Sequence, residues 1–89
     1  MKVYLIHEIF DDFEDEITHK YLAKICSSMD SAEQARNELI QEFITQRTED
    51  TDLKAYLDKD FEGNPTVTLR HNYDTLSMHH FTIEEWLVH

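Results

Sequence analysis

"SSMDSAEQARNELIQEFITQ", residues 27–46, decides how this chain folds. Ala32, Ala35, Leu39, Ile40, Phe43 and Ile44 recur at three- and four-residue spacing, which lines one side of a helix with apolar groups. Glu38, Gln41, Glu42 and Gln46 fall mostly off that stripe. Asp30 followed by Glu33 has the form of a capping box with Asp30 as N-cap, and Ser28 is the alternative cap. The spacing predicts a helix over 30–47. One apolar stripe needs a flat partner to cover, and the flanking segments supply strands.

Upstream, "MKVYLIHEIF" alternates Val3, Leu5 and His7 with Tyr4, Ile6 and Glu8 and predicts a strand over 2–10. Both alternating sets contain apolar residues, as in a central strand. "ITHKYLAKICS", 17–27, predicts a second strand. "DDFEDE", Asp11 to Glu16, then reads as the polar loop of a hairpin, with Phe13 folding back toward the sheet edge. Its carboxylates avoid a burial cost by facing water.

Downstream, Leu53, Tyr56, Leu57 and Phe61 fit a short helix capped by Thr51 or Asp50. An acidic loop pinned by the same residues is the alternative. Gly63, Asn64 and Pro65 predict a turn. "TVTLRHNY", 66–73, alternates strictly and predicts a half-buried strand. "DTLSMHH" reads as the link of a second hairpin. "FTIEEWLV", 81–88, is a last strand, where Phe81 and Ile83 in one phase and Trp86 and Val88 in the other suggest a bulge at Glu84–Glu85. Trp86 is read as core, with a partner anchor as the alternative. The expected order is β-β-α-(α)-β-β: a single α+β domain over 1–89, with one main helix on one face of a four-stranded, mostly antiparallel sheet.

The 89 residues carry 19 acids against 8 Lys and Arg, a net charge of −11. The acids outnumber the cations six to three in 1–26, ten to four in 27–63 and three to one in 64–89. Phosphate binding is driven by Lys and Arg displacing counterions, so a surface of this sign argues against direct nucleic-acid or anionic-lipid binding. It favours a basic protein partner, chiefly through the association rate. The single cysteine, Cys26, lies in an apolar run and reads as a buried thiol. With no basic-then-apolar leader and no apolar stretch of about 18 residues, the expected compartment is the cytoplasm.

The chain offers little catalytic vocabulary. A calcium loop starting at Asp11 would need glycine at its sixth position and a closing Glu at its twelfth, where Glu16 and Leu22 stand. Of the six histidines, His79 and His80 face apart on a strand, and His71 would have to meet one of them across a hairpin with Glu84 or Glu85. Gly63 is the only glycine, which leaves no phosphate-binding loop. Glu84 and Glu85 are adjacent strand residues and face apart. The expectation is no enzyme, no metal and no cofactor.

"KVYLIHEIFDDFEDE", "CSSMDSAEQARNELI" and "FTIEEWLV" together resemble a family of small uncharacterised bacterial and phage proteins. Those open with a Lys-Val-Tyr strand, continue through an acidic loop and a Ser-x-Glu-x-Ala helix start, and close on a strand with paired acids. The likeness covers 2–44 and 81–88, while residues 45–73 are longer here. It implies a fold and no activity.

The resulting expectation is a small acidic protein-binding module. Its contact residues would be Asp11, Asp12, Glu14, Asp15 and Glu16, together with Glu49, Asp50, Asp52, Asp58 and Asp60. In its sharper form the protein is a phage-type inhibitor that imitates nucleic acid and blocks a nucleic-acid-binding host protein. The alternative is a homo-oligomeric structural or accessory protein, dimerising through a sheet face that carries Tyr4 and Ile6.

Overall fold

The computed structural model describes residues 1–13 and 15–88. In chain order the elements are β1 (Lys2–Asp12), β2 (Ile17–Cys26), α1 (Met29–Thr48), β3 (Lys54–Lys59), β4 (Pro65–His71) and β5 (Asp74–Leu87). The strands form one antiparallel sheet in the order β2-β1-β5-β4-β3. The long central strands β1 and β5 pair without interruption from Lys2↔Leu87 to Asp12↔Ser77. The fold is α+β as expected, but with five strands rather than four.

The additional strand is β3, where the sequence suggested a short helix. Asp50 has a positive φ of 55° and stops α1. The Thr51 hydroxyl donates to the Arg47 carbonyl and accepts from the Leu53 N–H, so it shapes a turn instead of capping a second helix. From Lys54 on, alternation wins: Ala55 and Leu57 pair with Leu69 and Val67 of β4. Ladder pairing overrides a weak local helical period.

At the start of α1 the cap is Ser28, not Asp30. Ser28 is extended, at φ −143° and ψ 158°, and its side chain accepts from the Ser31 N–H at 3.1 Å. Asp30 sits in the first turn, where its carboxylate faces the positive end of the helix dipole, and Arg47 sits in the last turn at the negative end.

α1 lays its stripe on one face of the sheet. Ala32 and Ala35 pack with Ile6 and Cys26, flanked by Tyr4, Leu39 and Ile83. Ile40 packs with Val67, Leu69 and Phe81, flanked by Phe43, Ile44 and Ala55. The two alanines near its start bring α1 close to β1 and β2, and its larger residues fill the space over β4 and β5. The expected helical core and the buried Cys26 are as read from the sequence.

The phase of the last strand differs from expectation. β5 has no bulge at Glu84–Glu85, since the β1–β5 register is continuous there. Phe81 and Ile83 pair with Glu8 and Ile6 on the helix side, while Trp86 pairs with Val3 on the opposite side. The apolar residues change face, and the strand does not slip. Trp86 is therefore exposed and outside the core. The bulges lie between Ile6 and His7 opposite β2, and between Leu69 and Arg70 opposite β5. Likewise the face left uncovered by α1 is not the one carrying Tyr4 and Ile6, which lie under the helix, but the one carrying Val3, Leu5 and Ile9.

Ile6 is fully buried beneath α1, whereas Leu57 on edge strand β3 is mostly exposed. Ile6→Ala is expected to cost about 2–4 kcal/mol in urea unfolding and Leu57→Ala less than about 1 kcal/mol. Similar costs for the two would contradict this placement of the core.

Candidate functional site

Two arrangements stand out once the sheet is built. One is its uncovered face. The other is a hydrogen-bonded Ser–His–Glu row on the covered face.

Register places the open-face residues. Val3, Leu5, His7, Ile9 and Asp11 of β1 lie opposite Trp86, Glu84, Thr82, His80 and Met78 of β5. On the other side of β1, Leu5 pairs with Ile25 and His7 with Leu22 of β2. Beyond β5, Thr66 and Thr68 pair with His80 and Met78, and Tyr56 pairs with Thr68. Leu22, Ile25, Tyr56 and Trp86 are 49–58 % exposed, around half-buried Val3, Leu5 and Ile9. Charge on this face is mixed. Lys20, Lys54 and Arg70 stand against Asp11, Asp58 and Glu84 along the strands, and Asp60 adds a fourth acid through its contact with His80.

These charges are tied down. Glu84 accepts from the Trp86 indole at 3.1 Å and from Lys20 at 3.2 Å. Those two contacts, the indole first, hold the Glu84 carboxyl below the usual carboxylate range. His7 lies beneath with Nδ1 buried and without a hydrogen-bond partner, 4.0 Å from Glu84 Oε2. Arg70 sits 5.8 Å from the centre of the Tyr56 ring.

The acidic residues singled out from the sequence scatter over three places. Asp11 and Asp12 end β1 rather than lying in the loop. Asp11 accepts from the Thr18 hydroxyl at 2.7 Å, and Asp12 from the Asp15 N–H at 3.3 Å. Asp15 and Glu16 are exposed in the turn, with Glu16 at φ 56°. Glu14 lies outside the described residues. Phe13 of the same turn is half exposed rather than folded away. Glu49 closes α1 through its N–H to the Thr45 carbonyl, and Asp50 and Asp52 are exposed beside it. Asp58 lies on β3 and accepts from the Lys59 N–H. Asp60 opens the β3–β4 turn.

Asp60 is the most engaged of them. Partial burial pushes its carboxyl up. Hydrogen bonds outweigh that and hold it below the usual range, those from the Asn64 and Glu62 N–H groups first and the one with His80 next. His80 Nδ1 lies 3.3 Å from Asp60 Oδ2 and its Nε2 lies 3.6 Å from Asp11 Oδ2, so one imidazole links the β3–β4 turn to β1. His79 and His80 do face apart, as the alternation implied.

On the covered face, His79 is almost fully buried and Ser77 nearly so. His79 Nδ1 lies 2.6 Å from Glu8 Oε1, and His79 Nε2 lies 3.0 Å from Ser77 Oγ. Phe10 stacks parallel to the imidazole at 4.7 Å, and Phe43 of α1 tilts against it at 4.4 Å. Sequence reasoning missed this row. Ser77 and His79 share a face by strand alternation, but Glu8 is 71 positions away along the chain from His79, and only the β1–β5 register brings it there.

Among the described residues, no group of three or more His, Cys, Asp or Glu side chains is placed to hold a metal ion. No helix among them is long and apolar enough to cross a membrane. No protein-family model, curated protein or solved structure matches the chain.

A carboxyl held low in the folded state stabilises the fold above its unfolded pKa, and that contribution is lost as pH falls through the folded value. Asp60 therefore adds stability at neutral pH that disappears below about pH 4. Urea unfolding of Asp60→Asn is expected to show a smaller loss of stability between neutral and acid pH than the parent. An identical pH dependence would contradict it.

Proposed function

We propose that this chain is a protein-binding module whose docking surface is the helix-free face of the sheet, and that the occupant is a second copy of the chain. The observation that carries this reading is the apolar field of Val3, Leu5, Leu22, Ile25 and Trp86, with cations set among its acids, on an otherwise strongly acidic molecule.

Size and charge both support it. Five strands about 4.8 Å apart, averaging roughly ten residues at about 3.3 Å each, present a face of roughly 800 Å². A standard interface takes about 800 Å² from each partner. Two bodies of net charge −11 repel least where cations stand among the acids, and this face sets Lys20, Lys54 and Arg70 among Asp11, Asp58, Asp60 and Glu84. The five exposed or half-exposed apolar side chains form a contiguous patch of the kind that marks association surfaces.

The acidic residues support a basic, nucleic-acid-binding partner less strongly. Asp11 and Asp60 are both committed to His80, Asp11 also to Thr18, and Asp60 to two backbone N–H groups. Carboxylates spent inside the fold are less available to imitate phosphates. A basic partner would instead find the exposed acids of the β1–β2 turn and of the α1–β3 link.

Sedimentation or light scattering across micromolar to millimolar concentration tests the reading. The parent chain is expected to reach twice the mass of one chain, and Leu22→Glu or Ile25→Glu to remain at one. Both substituted side chains are exposed in the single chain, so the fold is expected to survive. A parent that stays at one chain mass at every concentration overturns the proposal.

A further inference from the structure

We propose that Ser77, His79 and Glu8 form a nucleophilic relay that takes short-chain carboxylic esters in the cleft beside the last turn of α1. This site is separate from the open face and does not depend on the proposal made for it.

The parts are in working order. The contact of 2.6 Å between Glu8 and His79 Nδ1 places the ring proton on Nδ1, donating to the carboxylate. Nε2 is then left as an acceptor for the Ser77 hydroxyl at 3.0 Å, the alignment in which an imidazole acts as general base toward a serine. Phe10 and Phe43 hold the ring plane from two sides. A bulge in the β4–β5 ladder falls immediately before Ser77, between its pairing with Leu69 and that of Thr75 with Arg70. Bulges of this kind re-aim side chains at functional sites.

The space beside the row sets the substrate class. All three residues line a cleft of about 280 Å³, together with Phe10, Tyr21, Leu69 and Arg47. That volume suits a short acyl group and is too small for a polypeptide segment. Phe10, Tyr21 and Leu69 form the apolar part of a wall that is otherwise polar. Arg47, 5.3 Å from the centre of the Phe43 ring, is the one cation among the lining residues.

The step balances without a further reagent. Ser77 Oγ attacks the ester carbonyl carbon while its proton passes to His79 Nε2. The bond from carbonyl carbon to alkoxy oxygen breaks, and the alcohol leaves with the proton from Nε2. Water then attacks the acyl-Ser77 ester, giving a proton to Nε2 that returns to Oγ as the acid leaves. Ser77 is the nucleophile and His79 the acid–base. Glu8 is a positioning residue, which holds the tautomer and stabilises the imidazolium.

The test uses p-nitrophenyl acetate as the probe, with intact and peptide-level mass spectrometry of the full chain and nitrophenolate release. The expected result is one acetyl group on Ser77 of the folded parent, lost in Ser77→Ala. Glu8→Gln is expected to slow acylation about 100-fold at unchanged apparent KM. Circular dichroism confirms that each variant is folded, and if one is not, the adduct map of the parent decides. A folded parent without acetyl on Ser77, or with acetyl only on lysines, overturns the proposal. So does a Ser77→Ala variant that releases nitrophenolate as fast as the parent.

Discussion

A sheet has two faces, and α1 has one apolar stripe with which to cover them. Everything else in this molecule follows from which face the stripe takes. With Ala32, Ala35 and Ile40 seated over Ile6, Val67 and Phe81, the even-numbered positions of β1 face the helix and the odd-numbered ones face outward. That single choice of phase puts Glu8 beside His79 on the inner side. It also leaves Leu5, Leu22, Ile25 and Trp86 on the outer side. A slip of one residue in the β1–β5 register would turn Ser77 and His79 outward and Trp86 inward.

The two faces handle their polar groups differently. The inner face buries an imidazole and a hydroxyl in one hydrogen-bonded row with a part-buried carboxylate, which avoids the cost of leaving any of them unpaired. The outer face keeps its charges in short networks: Lys20 and Trp86 on Glu84 and Arg70 over Tyr56, which are exposed, and His80 between Asp11 and Asp60, which is part-buried. Screening leaves such exposed pairs little stabilising value. Their effect is to set cations beside acids on the face proposed for a second chain.

Most of the fold was legible in the sequence, and the failures share a cause. The stripe of α1, the first hairpin and the strand at Val67–Leu69 declare themselves through long, clean periodicity. Residues 53–61 do not, because Leu53, Tyr56 and Leu57 fit a helical spacing while the pairing partner that makes them a strand lies ten or so residues further on. Trp86 misled for a related reason. Its offset from Phe81 and Ile83 was read as a bulge, whereas the register runs unbroken and puts Trp86 on the face that the helix does not cover. The Ser77–His79–Glu8 row was illegible because two of its members are strand neighbours and the third is set by register alone. The acidic runs were conspicuous in the sequence, yet several of their members, Asp11 and Asp60 above all, serve the fold's own turns and strand ends.

The asymmetry between the faces is open to direct measurement by methyl NMR with a soluble paramagnetic probe. At high dilution, the methyl groups of Leu5, Leu22 and Ile25 should broaden while those of Ile6, Ile40 and Val67 stay sharp. At high concentration the first group should become protected as a second chain covers it. Equal protection of both groups in dilute solution, or broadening of Leu22 and Ile25 that concentration does not change, would contradict the account.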